Sequence, residues 1–251
     1  MNRRTHAILQ LALWFALGAS AIAADHADLY FVHGIPGRAI AGNLDPALPI
    51  DVLINGESCL VQGLTFTNTT GPFPLSPGRY DLQISPANTD APCANPPVLD
   101  SQVTLTSGAS VSVVAAISAG QPVPLDFAGD LFPLTRGSAR FVFIQSADAP
   151  TLQVTLTQVR VKHPKSFTVT ADRGAQAEAI VPAGTYLVRV FAADSTALLT
   201  SEQIGLGDRY STFTYATGVA ENNSVVLVNR VIRTTSQPAQ SQAEPSSGGS
   251  F

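Results

Sequence analysis

Ser76-Pro77-Gly78-Arg79-Tyr80-Asp81-Leu82-Gln83-Ile84 returns later in the chain as Pro182-Ala183-Gly184-Thr185-Tyr186-Leu187-Val188-Arg189-Val190. Each copy is a glycine-containing turn, a tyrosine and then alternating apolar positions, the pattern of a turn feeding a half-buried strand. Taking the tyrosines as equivalent, the offset is 186 − 80 = 106 residues. Further on, Val98-Leu99-Asp100-Ser101-Gln102 matches Ala197-Leu198-Leu199-Thr200-Ser201, and Gly108 matches Gly207 at an offset of 207 − 108 = 99. The first copy therefore carries about seven extra residues, around 86–97.

Working outward, Leu29-Tyr30-Phe31-Val32-His33 corresponds to Ala139-Arg140-Phe141-Val142-Phe143 within a residue or two. The runs Leu29 to Val32, Ile50 to Ile54, Tyr80 to Ile84, Val98 to Leu105 and Ser110 to Ile117 read as strands. Asn55-Gly56 is a strong hairpin signal. Helical periodicity of useful length is confined to the N-terminus. The expectation is an all-β chain of two tandem immunoglobulin-like antiparallel β-sandwiches, about seven strands each. The domains are read as 25–130 and 138–233, with a Gly- and Pro-rich boundary at 127–137. Val225 to Val231 reads as the last strand, and 234–251, rich in Ser, Gln, Pro and Gly, as a disordered tail.

Hydrophobic residues make up 45% of the 251, and charged residues only 13%, a balance of folded, strand-rich proteins rather than disordered ones. The formal net charge of −4 gives no electrostatic footprint for nucleic acid or an anionic membrane. Residues 1–24 read as a signal peptide: Arg3-Arg4, an apolar core from Ile8 to Leu17, and the small-residue cleavage pattern Ala21-Ile22-Ala23. That core is short for a stable membrane span, and no second stretch of spanning length follows. The mature protein is expected to be exported, periplasmic or extracellular, with an unidentified protein or envelope component as partner.

Cys59 and Cys93 are the chain's two cysteines. In an oxidising compartment they read as a disulfide, against the competing readings of two free thiols or half a metal site. No CxxC spacing or nearby His cluster supports a metal. A bridge over 93 − 59 = 34 positions would contribute about 3–4 kcal/mol by loop entropy. Cys93 lies in the extra residues of the first copy, so the bridge reads as a staple on an added loop.

Tyr80 and Tyr186 each follow a turn and are expected to pack inward with the hydroxyl bonded to nearby backbone. Ser110, Ser112, Thr212 and Thr214 alternate as though on a solvated face.

Taken in order, Val32-His33, Ile50-Asp51-Val52-Leu53-Ile54-Asn55-Gly56 and Ser76-Pro77-Gly78-Arg79-Tyr80 resemble the bacterial domain-of-unknown-function family 4397. In the second copy, Ser146-Ala147-Asp148-Ala149-Pro150 and Val181-Pro182-Ala183-Gly184-Thr185-Tyr186 resemble the same pattern. The resemblance spans about Asp28 to Arg230 and implies exported, immunoglobulin-like sandwiches, often in tandem, without assigned catalytic residues. The chain departs from the pattern by inserting 38–48 after Gly34-Ile35-Pro36-Gly37, and by placing Ile144 or Gln145 where the first copy has His33. A role for His33 in packing or turn hydrogen bonding is expected.

The chemistry-bearing residues do not converge. His26, His33 and His163 share no ligand spacing, and no Gly-x-Ser-x-Gly elbow is present. Gly205-Leu206-Gly207 reads as a turn between strands. No catalytic residue, cofactor or nucleic-acid contact is expected. If cleavage falls after Ala23, the new amine with His26 third in sequence forms a square-planar Cu(II) or Ni(II) set, against the alternative of a plain polar terminus. Arg160, Lys162, His163 and Lys165 form the one basic cluster, a candidate surface for an acidic partner or simply a solvated hairpin tip. The long loops at 38–48 and 86–97 are the other candidate recognition elements. The leading expectation is a non-enzymatic binding or structural module at the cell envelope. The alternatives are a carrier with an apolar site at the domain junction and, less favoured, a hydrolase.

Overall fold

The computed structural model describes residues 26–234; the expected signal peptide, the amine-terminal copper site apart from His26, and the tail beyond Thr234 lie outside the described residues. Thr234 itself is tied down, its hydroxyl donating to Arg209 O at 2.7 Å.

The first copy folds into eight strands: β1 (Ala27–His33), β2 (Ile50–Ile54), β3 (Ser58–Leu64), β4 (Thr69–Leu75), β5 (Gly78–Pro86), β6 (Leu99–Leu105), β7 (Ser110–Ser118) and β8 (Gln121–Gly129). The second copy repeats them as β9 (Ser138–Gln145), β10 (Leu152–Gln158), β11 (Ser166–Ala171), β12 (Gln176–Pro182), β13 (Gly184–Ala192), β14 (Leu198–Leu206), β15 (Tyr210–Thr217) and β16 (Val226–Arg233). Helix is confined, among the described residues, to one turn, α1 (Gly37–Ile40), in the first insertion. Phe127 and Ala128 thus belong to β8 rather than to the domain boundary, and Gly205 and Leu206 to β14 rather than to a turn.

Four sheets of four strands result, ordered β3-β2-β5-β6, β4-β1-β7-β8, β12-β9-β15-β16 and β11-β10-β13-β14. Pairing is antiparallel except where β1 meets β7 and β9 meets β15, which run parallel. In the first copy two strands form despite prolines that weaken a strand reading. Pro72 and Pro74 lie in β4, and Pro122 and Pro124 in β8, yet both strands form the edges of one sheet, where a missing N–H is tolerated. The β2–β3 turn follows its sequence signal, with Asn55 and Gly56 both at positive φ, +53° and +69°.

Each copy has its own core. In the first, Leu29, Phe31, Val113 and Ala115 meet Val52, Leu82 and Val103 across the sandwich; in the second, Phe141 and Phe143 meet Leu152, Val154 and Val188. A third cluster lies between the copies, where Val32, Val114 and Phe127 pack on Val142, Ile144, Phe213, Tyr215 and Val228. The molecule is therefore a four-layer stack whose two middle sheets face one another. This alters the expected solvated face: Ser110 and Ser112 are buried at that seam, and Thr212 and Thr214 are buried beneath the same sheet of the second copy. A small polar residue at alternate positions marks an exposed strand only when nothing covers the sheet. Here the second sandwich covers the serines. The threonines, alternating with the seam residues Phe213 and Tyr215, face the inside of their own copy, where Thr214 donates to Asn229 Oδ1 at 2.8 Å.

The repeated tyrosines behave alike. Tyr80 donates to Ser76 O and Tyr186 to Pro182 O, each at 2.7 Å and each four residues back. This is the tyrosine-corner arrangement of immunoglobulin-like folds.

Candidate functional site

The two insertions are held by different chemistry. The β5–β6 connection has twelve residues (87–98) against five (193–197) between β13 and β14, the seven-residue excess read from the repeat. Cys59 on β3 and Cys93 in this excursion form a disulfide with Cα atoms 5.8 Å apart. Beside it lies Asp51, a buried carboxylate the sequence reading did not single out. Its Oδ1 accepts from Gly63 N at 2.8 Å, and its Oδ2 from Cys93 N at 2.9 Å and Asn88 N at 3.1 Å. Three backbone donors supply the negative charge with partners in place of water.

The β1–β2 excursion hangs on His33, which is fully buried. Ile35 N donates to Nδ1 at 3.3 Å, which leaves the proton on Nε2, where it donates to Leu48 O at 2.6 Å. Burial lowers its pKa from 6.5 to about 4, and the bond to Leu48 works weakly the other way. His33 is thus a neutral structural clamp, as the packing expectation held. The second copy uses Gln145 in the same place: Ala147 N donates to its Oε1 at 3.1 Å, and its Nε2 donates to Pro150 O at 3.0 Å. The backbone register agrees, since His33 N bonds Asn68 O where Gln145 N bonds Ala175 O.

The seam between the copies is filled by side chains. Arg230 on β16 is buried there and, among the described residues, forms no ion pair. Its guanidinium lies between the rings of Tyr30 and Phe213, 3.8 and 4.4 Å from their centroids. Nε, Nη1 and Nη2 donate to Tyr215 Oη at 3.2 Å, Ser110 Oγ at 3.3 Å and Ser112 Oγ at 3.0 Å. Burial pushes the Tyr30 hydroxyl above its usual pKa, so it stays neutral under the cation. Gly34 comes so close that a Cβ there would meet Ala115 O and Thr217 Cγ2 at 3.0 Å, and its carbonyl accepts Gly218 N from the other copy at 3.3 Å. At the rim, Arg173 joins Asp148 at 2.9 Å and donates to Ile117 O at 2.6 Å, beside a notch of about 300 Å³. An apolar carrier site in the middle of the junction would have to displace this packing.

The basic cluster occupies the β10–β11 connection, on the outer sheet of the second copy. Arg160, Lys162, His163 and Lys165 are all exposed, as is Val161. Arg160 sits at φ +61°, and Lys165 N is held by Gln158 Oε1 at 3.2 Å. Among the described residues, no carboxylate forms an ion pair with these cations. Lys162 and Lys165 are the chain's two lysines.

A polar groove of about 720 Å³ lies on the opposite outer sheet, in the first copy, lined by Asn55, Asp81, Gln83, Asp100 and Gln102. Gln83 Nε2 donates to Asp100 Oδ1 at 3.2 Å and Gln102 Nε2 to Asp81 Oδ1 at 2.5 Å. The sequence reading passed over this groove, although acid and amide alternate along both strands. Among the described residues, no group of three or more His, Cys, Asp or Glu side chains is placed to hold a metal. No described helix is long and apolar enough to cross a membrane.

Residues 27–155 match the family described as a domain of unknown function, DUF4397, which is more than half of the chain. The chain belongs to the DUF4397 family. The match runs from β1 through the first copy and into β10, and the second copy completes the tandem. No curated protein matches the chain. Among solved structures, the chain is similar to a candidate cell adhesion protein from Bacteroides ovatus, with TM-score 0.30, 9% identity, and 85% of this chain and 99% of that one covered. It is similar also to a candidate cell adhesion protein from Bacteroides uniformis, with TM-score 0.31, 13% identity, and 84% and 100% covered. TM-scores of this size bear on neither arrangement nor function.

Proposed function

We propose that this DUF4397 protein is a non-enzymatic, exported tandem-sandwich module that works at the cell envelope by contact. We place its two domains at 25–130 and 138–233, and its contact surface for an acidic partner at Arg160, Lys162, His163 and Lys165. The observation that carries the reading is the division of surfaces. The middle faces are consumed in joining the copies, while the β10–β11 tip presents exposed cations with no ion-pair partner among the described residues. The Cys59–Cys93 bridge supports an oxidising compartment, periplasmic or extracellular. The filled seam counts against a carrier with its site at the junction.

The test is cross-linking of the exported protein in native envelope, followed by capture of what it holds. Capture that falls as salt rises, and falls again in Lys162→Glu/Lys165→Glu, supports the tip as the contact. Capture unmoved by both changes overturns it.

A further inference from the structure

The copies differ in charge as well as in loop length. Residues 26–137 hold nine Asp and Glu against three Arg, a formal −6; residues 138–234 hold seven against nine Lys and Arg, a formal +2. Each excess has a focus. In the first copy it is the groove, where Asp81 and Asp100 face outward from neighbouring strands. Asp81 lies opposite Gln102, and Asp100 opposite Gln83. The two acids are therefore diagonal neighbours, about 7–8 Å apart at the backbone. Each gives one oxygen to a glutamine and keeps Oδ2 for a further donor. Arg79 is two residues along β5 on the same face and forms no ion pair with either among the described residues.

The repeat shows that this acidic pair is not part of the architecture. By strand register, which runs two residues beyond the sequence match in β14, the matching positions in the second copy are Leu187 opposite Gln203 and Arg189 opposite Ser201. Conversely, the β2–β3 turn that matches the basic tip is only three residues, 55–57, against seven, 159–165. Acidic groove and basic tip are thus each private to one copy and opposite in sign.

They also lie on opposite outer layers of the four-layer stack, so one chain cannot bring its own tip to its own groove. Resting on the reading of the tip as a contact surface, we propose that Lys162 and Lys165 of one molecule dock in the Asp81–Asp100 groove of a second copy of this chain. The contact joins two different patches, so every addition leaves one free tip and one free groove. Such head-to-tail association is open-ended unless its rotation closes a ring. Lysine suits it: a compact ammonium on a flexible stem reaches each free carboxylate oxygen without needing a fixed fork.

Sedimentation velocity on the exported protein over a concentration series tests this at about 0.01 M and about 1 M salt, where screening lengths are about 30 Å and about 3 Å. The expected result is concentration-dependent growth in the sedimentation coefficient at low salt, and its loss at high salt. Lys162→Glu/Lys165→Glu and Asp81→Lys/Asp100→Lys should each weaken association at least tenfold. Mixed together they should regain it, because each then offers the charge the other lacks. Circular dichroism checks that both are folded, and Lys165→Gln with Asp81→Asn replaces any variant that is not. A wild-type protein that stays monomeric throughout the low-salt series, or a mixture of folded variants that fails to reassociate, overturns the proposal. Envelope capture separates the two readings. Lost capture in the lysine variant, with a monomeric wild type, removes self-association and leaves the tip as a contact for another acidic partner. Capture and sedimentation both unmoved by that variant remove both.

Discussion

The first sandwich clamps its β1–β2 connection with His33, and the second clamps its β9–β10 connection with Gln145. Both side chains accept from the backbone N–H two residues on, and both donate to a carbonyl of the loop they hold. The job has been kept while the residue has changed. At the seam the reverse has happened. Phe127 pairs with Ser112 across β7 and β8, and at the matching place Arg230 pairs with Phe213 across β15 and β16. There the position has been kept and the chemistry replaced, an apolar ring on one side and a stacked guanidinium on the other. A duplicated fold tolerates exchange where geometry alone is needed, and diverges where its copies must fit each other or something else.

The largest expected difference between the copies is covalent. Cys59→Ser/Cys93→Ser should cost about 3–4 kcal/mol, because the open chain regains the entropy of a 34-residue loop. Denaturant unfolding measures the loss. Hydrogen exchange should place it in 87–98 and β3, with the amides of the second sandwich unmoved. Equal loss of protection in both copies would break the comparison.

Arg230→Ala comes next, at about 3 kcal/mol. It removes a stacked side chain, leaves the buried Ser110 hydroxyl without its donor, and takes one donor each from Ser112 and Tyr215, whose hydroxyls keep their mutual bond at 2.6 Å. Since these partners come from both copies, the variant should separate one unfolding transition into two in calorimetry. An unaltered single transition would show that the remaining seam contacts suffice.

Most of the fold was legible because it rests on local chemistry. The Asn55-Gly56 turn, the tyrosine after each Gly turn and the seven-residue excess are all written in consecutive residues. The seam was not legible, because alternation records which residues share a face and not what covers that face. Ser110 and Ser112 look solvated in a strand read alone, and find their partners more than 100 residues away, in Arg230 and, for Ser112, also Tyr215. Asp51 was missed for a related reason: its partners are the backbone of 63, 88 and 93, and backbone carries no sequence signal. The basic cluster stood out because its charges adjoin in sequence. Asp81 and Asp100 meet only through strand pairing.

His33→Gln converts the first clamp into the second and sharpens the comparison through pH. A histidine held near pKa 4 when folded and near 6.5 when unfolded gives stability that is fully present above pH 6.5. That stability drains as pH falls and is gone below about pH 4, a span of up to about 3 kcal/mol. Unfolding free energy measured across that window should fall more steeply in the wild type than in His33→Gln, whose clamp does not titrate. Parallel curves would mean that the ring's desolvation is not felt at the level of the fold.

The smallest effects are expected at the most repeated feature. Tyr80→Phe and Tyr186→Phe each delete one hydroxyl that donates to a carbonyl four residues back, worth about 1 kcal/mol. The two environments are unequal: Tyr186 is fully buried, while Tyr80 is half-buried and its bond is open to solvent. Losing the hydroxyl of Tyr80 lets water take over at Ser76 O, so its cost should be the lower of the two. Tyr186 stands on the apolar floor of the second core, where Pro182 O has less access to a substitute. Matched denaturation curves that rank Tyr80→Phe as the more damaging would place the weight of the corner in the hydrogen bond itself rather than in its burial.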